Sequence, residues 1–113
     1  MYRALKQQVY DKCNGRCAYC GIQISIQNMS IDHIEGQVWF VDSKTDINHT
    51  LDNLLPACKS CNSYKNSYTV EQFRGYIERI YEDLGKQHKF KIAERLGVFE
   101  RKKQVVKFYF ETI

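Results

Sequence analysis

Two pairs of cysteines with identical spacing constrain this chain more than any other feature. Cys17 and Cys20 form the first Cys-x-x-Cys pair, and Cys58 and Cys61 form the second after 37 intervening residues. Each pair can present two thiolates from one tight turn, and two such turns supply the four sulfurs of a tetrahedral zinc site. Gly21 follows the first pair and tolerates the sharp turn required there. The spacing predicts a structural zinc site, because four thiolates leave no coordination position open.

The rest of the chain indicates the compartment in which these thiols act. None of the 113 residues lies in an apolar run of the roughly 20 residues that span a bilayer, and residues 1–12 lack the apolar centre of a secretory signal. We therefore expect a cytoplasmic protein that does not enter a membrane, where disulfides are rare. Metal binding is then favoured, with a thiol redox protein as the competing interpretation. Cys13, outside both pairs, is expected to pack as a small hydrophobe.

Hydrophobic periodicity predicts a mixed α+β chain. A helix over residues 2–13 is followed by two short runs of strand composition, "SIDHI" and "QVWFV", and by a polar loop over residues 42–50. Trp39 and Phe40 of the second run are expected in the core, with stacking on bases as the alternative. The later elements are predicted in this order: a short helix from Cys58, a helix over Val70–Leu84, a helix over 87–96 ended by Gly97, and a strand over 105–110.

The charge is distributed unevenly between the two halves of the chain. The net charge is +4, and the whole excess of Lys and Arg over Asp and Glu lies in residues 61–113. This excess is either a solvated helix face or a surface that contacts phosphates. No linker composition or repeat separates the halves, so we expect a single domain over residues 1–113, with a core at 13–70 and a basic extension at 71–113.

Four polar residues accompany the cysteine pairs in a specific order. Asp32 and His33 are adjacent, Asn53 lies five residues before Cys58, and Asn62 directly follows Cys61. The succession of "CAYCG", "SIDHI" and "LDNLLPACKSCNSYK" resembles the HNH nuclease family in its zinc-bound form with two Cys-x-x-Cys pairs.

This resemblance covers about residues 13–70 and implies an α+β fold. Its core would be a ββα-metal (His-Me finger) unit with a structural four-cysteine zinc site, joined by an N-terminal helix and a mainly helical C-terminal extension. Residues 71–113 carry no pattern of the family. After Asp32-His33 the chain reads "IEGQVWF", whereas many relatives continue with an apolar residue and proline.

The resemblance implies a role for each polar residue. His33 would be the general base that activates water, since a neutral imidazole can accept a proton near pH 7. Asn53 would orient His33 through a hydrogen bond. Asp32 and Asn62 would offer oxygen ligands to a catalytic Mg²⁺ or Mn²⁺. Lys65, one helical turn beyond Asn62, would contact a phosphate of the nucleic acid.

The implied function is a metal-dependent endonuclease that hydrolyses DNA. The alternative is a non-catalytic zinc-knuckle module that binds nucleic acid or protein, with the C-terminal extension available to a protein partner or to a second copy. Each residue also has a structural alternative: His33 as a partly buried strand histidine, Asn53 as a turn residue, Asn62 as a helix cap and Lys65 as a solvated lysine. His49 and His88 match no family position.

Overall fold

The structure is a computed structural model that describes residues 2–34 and 50–113. Within these ranges the chain forms two strands, four α-helices and two short 3₁₀ helices, so the prediction of an α+β fold is confirmed. The elements, in chain order, are α1 (Tyr2–Lys12), β1 (Ser30–His33), a 3₁₀ helix (Leu51–Asn53), β2 (Leu54–Ala57), α2 (Lys59–Lys65), α3 (Val70–Gly85), α4 (His88–Arg95) and a second 3₁₀ helix (Tyr109–Glu111).

The chain divides into two compact units. Unit 1 comprises Met1–Val70 and Lys107–Ile113, and unit 2 comprises Glu71–Val106. The final segment therefore groups with the predicted core and not with the rest of the C-terminal extension. None of the described helices combines the length and the apolar content that crossing a bilayer requires.

Strands β1 and β2 form an antiparallel pair at the centre of unit 1. Ser30 lies opposite Ala57 and His33 lies opposite Leu54. The run "SIDHI" is thus confirmed as a strand, whereas sequence analysis assigned no element to β2, whose four residues are all buried. Pro56 fits because it lies at a position whose backbone nitrogen faces away from the ladder.

Each strand of this ribbon contacts a helix. Helix α1 packs against β2, and α2 packs against β1. Val9 of α1, Met29 and Leu54 form one buried apolar cluster of unit 1. Helix α1 ends at Lys12, one residue before the predicted limit, and Asn14 and Gly15 beyond it take positive φ values of 58° and 74°.

The predicted strand over residues 105–110 is wrong. This segment carries no strand, and residues Tyr109–Glu111 form a 3₁₀ helix. The backbone N–H groups of Tyr109 and Phe110 donate to the carbonyls of Tyr19 (3.1 Å) and Ala18 (2.8 Å). Their hydrogen-bond acceptors therefore lie in the turn between Cys17 and Cys20, not in a neighbouring β-strand. The predicted strand "QVWFV" and most of the polar loop lie outside the described residues.

Unit 2 contains the two predicted helices with nearly the predicted limits. Helix α3 ends at Gly85, and α4 ends before Gly97, whose φ of 78° stops the helix. Arg101 binds both helices of the unit. Its Nε lies 3.0 Å from Glu94 Oε2 on α4, and its Nη1 donates to the carbonyl of Tyr81 on α3 at 2.8 Å.

Candidate functional site

The four paired cysteines form one cluster, although the pairs are far apart in sequence. The Sγ atoms of Cys17, Cys20, Cys58 and Cys61 all lie within 4.8 Å of one another. Cys20 Sγ and Cys58 Sγ are 3.8 Å apart. A tetrahedral zinc ion with Zn–S bonds of about 2.3 Å requires sulfurs roughly 3.8 Å apart. This cysteine cluster therefore fits a metal such as zinc.

Backbone hydrogen bonds shape the two turns that carry these sulfurs. In the first knuckle (residues 17–21), Gly21 donates to the carbonyl of Cys17 at 3.0 Å and takes a φ of 77°. In the second knuckle (residues 58–61), Cys58 is the N-cap of α2, and its Sγ accepts the N–H of Cys61 at 3.4 Å. Ala18 donates to the carbonyl of Pro56, which attaches the first knuckle to β2.

The crowding of the thiols changes their proton affinity. A hydrogen bond from Cys61 lowers the pKa of Cys17 to about 4. The same hydrogen bond, followed by burial, raises the pKa of Cys61. A metal ion binds the thiolate form and displaces the remaining thiol protons. Burial raises the pKa of Cys13, which is 1% exposed and packs in the interior as predicted.

Asp32, the predicted cation ligand, belongs to a buried polar network. Its side chain is 4% exposed, and its Oδ2 lies 2.9 Å from the fully buried Nζ of Lys65. The hydroxyl of Tyr19 donates to the same Oδ2 atom. Burial raises the pKa of Tyr19, and the hydrogen bond to Asp32 raises it further, so this hydroxyl remains a donor near neutral pH. Both partners of Asp32 within the described ranges thus use one carboxylate oxygen.

His33, the predicted general base, ends β1 and is half-buried. Ile34 donates to the carbonyl of Asn53 at 2.8 Å, so the adjacent pair of His33 and Leu54 has carbonyls that point away from the ladder. Lysine ammonium groups satisfy both. Lys65 Nζ donates to the carbonyl of His33 at 2.8 Å, and Lys12 Nζ donates to that of Leu54 at 2.7 Å.

The two predicted asparagines lie on the elements that flank His33. Asn53 ends the 3₁₀ helix, and its carbonyl is bonded to the residue after His33. Asn62 lies within α2, where its N–H donates to the carbonyl of Cys58. The alternative of Asn62 as a helix cap is wrong, because Cys58 occupies the N-cap and Asn66 the C-cap.

Lys65 is the predicted site residue whose position differs most from expectation. Both a phosphate contact and a solvated lysine require an exposed ammonium, but this side chain is 0% exposed. Its charge is directed at Asp32 and at the carbonyl of His33. In this arrangement the residue cannot reach a phosphate, so the predicted contact needs correction: Lys65 supports the site from within.

Sequence analysis also missed Tyr19 and Lys12. Tyr19 lies between Cys17 and Cys20, and the Cys-x-x-Cys spacing predicts a role for the two cysteines only. Lys12 closes α1 and also donates to the carbonyl of Leu51 at 2.8 Å. Neither interaction has a spacing signal, since each joins residues 13 or more positions apart through the tertiary fold.

The antiparallel strand pair, helix α2 and the cysteine cluster together define a small α+β domain with a metal-binding site. Residues 17–67 match the family model of the HNH endonuclease, a family of nucleases that act on nucleic acid. The predicted recognition and the ββα-metal fold are confirmed.

Among the proteins that resemble this chain are a bacterial prophage protein and an enzyme of known structure. The SPbeta prophage-derived protein YoqL of Bacillus subtilis strain 168, which is named for the same HNH endonuclease family, is 28% identical over 102 residues. That match covers 87% of this chain and 42% of YoqL, so the chain spans less than half of that relative's length. The crystal structure of the Type II-C Cas9 enzyme from Actinomyces naeslundii matches the fold with a TM-score of 0.53 at 18% identity, over 83% of this chain and 10% of the enzyme.

Proposed function

We propose that the chain is a metal-dependent endonuclease that hydrolyses DNA, with His33 as the general base. The observation that carries the proposal is the fixed backbone of His33. Its carbonyl is bound by a fully buried lysine, and its neighbour Asp32 is held by two side chains. A base that must accept a proton in one geometry benefits from such a fixed position.

The proposed reaction is attack of water on a phosphodiester. The His33 imidazole accepts a proton from the water as its oxygen bonds to phosphorus, and the opposite P–O ester bond breaks. Asn53 keeps His33 in orientation, which its place beside the end of β1 supports. The leaving oxygen takes its proton from solvent.

The residues that would hold a catalytic cation are Asp32 and Asn62. A carboxylate and an amide oxygen suit a hard cation such as Mg²⁺ or Mn²⁺, and Asp32 Oδ1 is the oxygen that remains beside the occupied Oδ2. When bound, the cation would supply positive charge against the phosphate oxygens. The cysteine cluster would hold structural zinc, which its sulfur spacing supports.

The test is a plasmid cleavage assay with zinc-loaded protein and Mg²⁺ or Mn²⁺. We expect His33→Ala to lower the cleavage rate by about 10²–10⁴-fold, the usual contribution of a positioned base. His88→Ala is the matched control, because His88 is an exposed histidine of α4. Equal cleavage by wild type and His33→Ala, at equal zinc content, would reject His33 as the base. Absence of cleavage by wild type with every cation would reject the activity.

A second candidate function is nucleic-acid binding without cleavage, and the basic end of unit 2 favours it. Residues 86–103 contain seven Lys or Arg and two Glu. All five lysines of this stretch are exposed. Such a surface predicts DNA affinity that falls steeply with salt. Salt-sensitive binding without cleavage under any divalent cation would favour this function over the nuclease.

A further inference from the structure

Tyr19 has no part in the proposed reaction, yet it touches the residue on which that reaction depends. It lies within the first knuckle and is 3% exposed. Its hydroxyl donates to Asp32 Oδ2. Asp32 lies on β1, which does not follow the first knuckle directly in sequence. The χ2 torsion of an aspartate is by itself broad and roughly two-fold. A hydrogen bond from a fixed donor to one oxygen therefore restricts the orientation of the carboxylate.

The C-terminal segment of unit 1 fixes Tyr19 from the other side. The ring of Phe108 meets the Tyr19 ring edge-on at 5.0 Å, and the ring of Phe110 does so at 6.0 Å. The N–H groups of Tyr109 and Phe110 also bind the carbonyls of Tyr19 and Ala18. Ring and backbone are therefore both held, and the hydroxyl has little freedom to leave Asp32.

Asp32 is thus reached from both halves of the cysteine cluster. Tyr19 comes from the first knuckle, and Lys65 ends α2, which begins directly behind Cys58 of the second knuckle. The two donors converge on Oδ2. Metal-ligating carboxylates are generally held in this way by outer partners, whose loss costs about 10–100-fold in metal affinity or activity.

We propose that Tyr19, clamped by Phe108 and Phe110, is a positioning residue of the nuclease site: its hydroxyl holds Asp32 by Oδ2 and keeps the other oxygen for the divalent cation. This inference rests on the proposed function. It also assigns a role to the C-terminal aromatic residues, which connect the end of the chain with the site through Tyr19.

Tyr19→Phe separates positioning from packing, because the phenylalanine ring preserves the aromatic contacts and removes only the hydroxyl. In the zinc-loaded full chain we expect the dissociation constant for Mn²⁺, measured by electron paramagnetic resonance of free Mn²⁺, to rise about tenfold. The Mn²⁺ concentration for half-maximal cleavage should rise equally, with KM for DNA unchanged. A purely structural role would reduce the active fraction without moving either Mn²⁺ value.

Tyr109→Phe is the matched control, since its hydroxyl contacts Asn14 and not Asp32; its Mn²⁺ affinity should equal that of wild type. Unchanged Mn²⁺ binding by Tyr19→Phe at full zinc content would overturn the inference. If that variant does not retain zinc, Phe110→Leu decides the question, because it loosens the clamp and leaves the hydroxyl. A rise in its Mn²⁺ dissociation constant supports positioning, and no rise overturns it.

Failure of this inference is distinguishable from failure of the proposed function. Wild type that cleaves DNA while Tyr19→Phe binds Mn²⁺ equally well removes only the role of Tyr19. Wild type that neither cleaves DNA nor binds Mn²⁺ beside its zinc rejects the nuclease reaction and the cation role of Asp32 together.

Discussion

The two units of the molecule differ in where several of their charged residues lie. In unit 1, Lys65 and Asp32 are buried and paired, and Lys12 is directed at backbone carbonyls. In unit 2, the lysines are exposed, and the Arg101–Glu94 pair retains 22% and 33% exposure of its side chains. These charges of unit 1 therefore fix geometry, whereas the exposed lysines of unit 2 are available to solvent or to a polyanion.

A buried ion pair is weak grounds for high stability, because desolvation offsets much of its Coulomb attraction. Its value in unit 1 is positional: one ammonium binds both the Asp32 carboxylate and the carbonyl of His33. The exposed charges of unit 2 impose no such order. Perturbations of equal size should accordingly have unequal effects in the two units.

Removal of the metal should have the largest effect, and it should destabilise unit 1 more than unit 2. Structural zinc contributes roughly 10–16 kcal/mol in small zinc domains, comparable to the about 5–15 kcal/mol that stabilises a whole domain. We expect a strong chelator, or Cys17→Ala, to abolish protection from hydrogen exchange in β1 and β2. Protection in α3 and α4 should change less. Mass spectrometry of exchanged peptides measures both.

Cys13→Ala is the control for this experiment, because Cys13 is buried but lies outside the cysteine cluster. Its zinc content and its exchange pattern should stay close to those of wild type. Retained protection of β1 and β2 in metal-free protein would contradict the structural role of the metal. It would also remove the contrast between the units.

Removal of a single lysine should have the next largest effect. Lys65→Met leaves the Asp32 carboxylate buried without its cation, which costs about 3–5 kcal/mol of folding free energy. Lys103→Met, at an exposed position of unit 2, should change stability by no more than about 0.5 kcal/mol. Urea denaturation followed by circular dichroism measures both.

The double variant Asp32→Leu/Lys65→Met sharpens this result. Replacing both members of a buried pair by apolar residues is often nearly neutral, so it should recover much of the lost stability. Equal small losses in Lys65→Met and Lys103→Met would show that the charge of Lys65 is accessible to water and that the units do not differ in this respect.

Sequence predicted the fold where spacing carries chemistry, and failed where tertiary contacts decide. The cysteine cluster and the strand with Asp32-His33 followed from motif order, because the residues of both motifs keep a fixed local spacing. The position of Lys65 was not predictable, since helical spacing places a residue on a face but does not state whether that face is buried. Tyr19 was missed because its partner lies on β1, outside the cysteine knuckle that holds Tyr19.

The secondary structure of the C-terminal segment was also decided by tertiary contacts that its sequence does not show. The apolar composition of residues 105–110 predicted a strand, but Val105 is 75% exposed while Phe108 is 4% exposed. The aromatic residues serve to pack on Tyr19, and the backbone N–H groups bind the first knuckle. Composition thus identified an apolar segment but predicted the wrong secondary structure for it.

The smallest expected effect concerns the charge pair of unit 2. Its hydrogen bond from Arg101 holds the pKa of Glu94 below its ordinary value. A lowered folded-state pKa contributes stability above the unfolded pKa, and this contribution is lost as pH falls through the folded value. Arg101→Ala should raise the pKa of Glu94 toward its ordinary value and reduce that acid-dependent loss. A carbon NMR titration of the Glu94 carboxyl measures the shift. Arg95→Ala removes an exposed arginine of α4 and should leave the pKa of Glu94 lowered. An equal pKa of Glu94 in both variants would show that Arg101 does not hold this carboxylate in place.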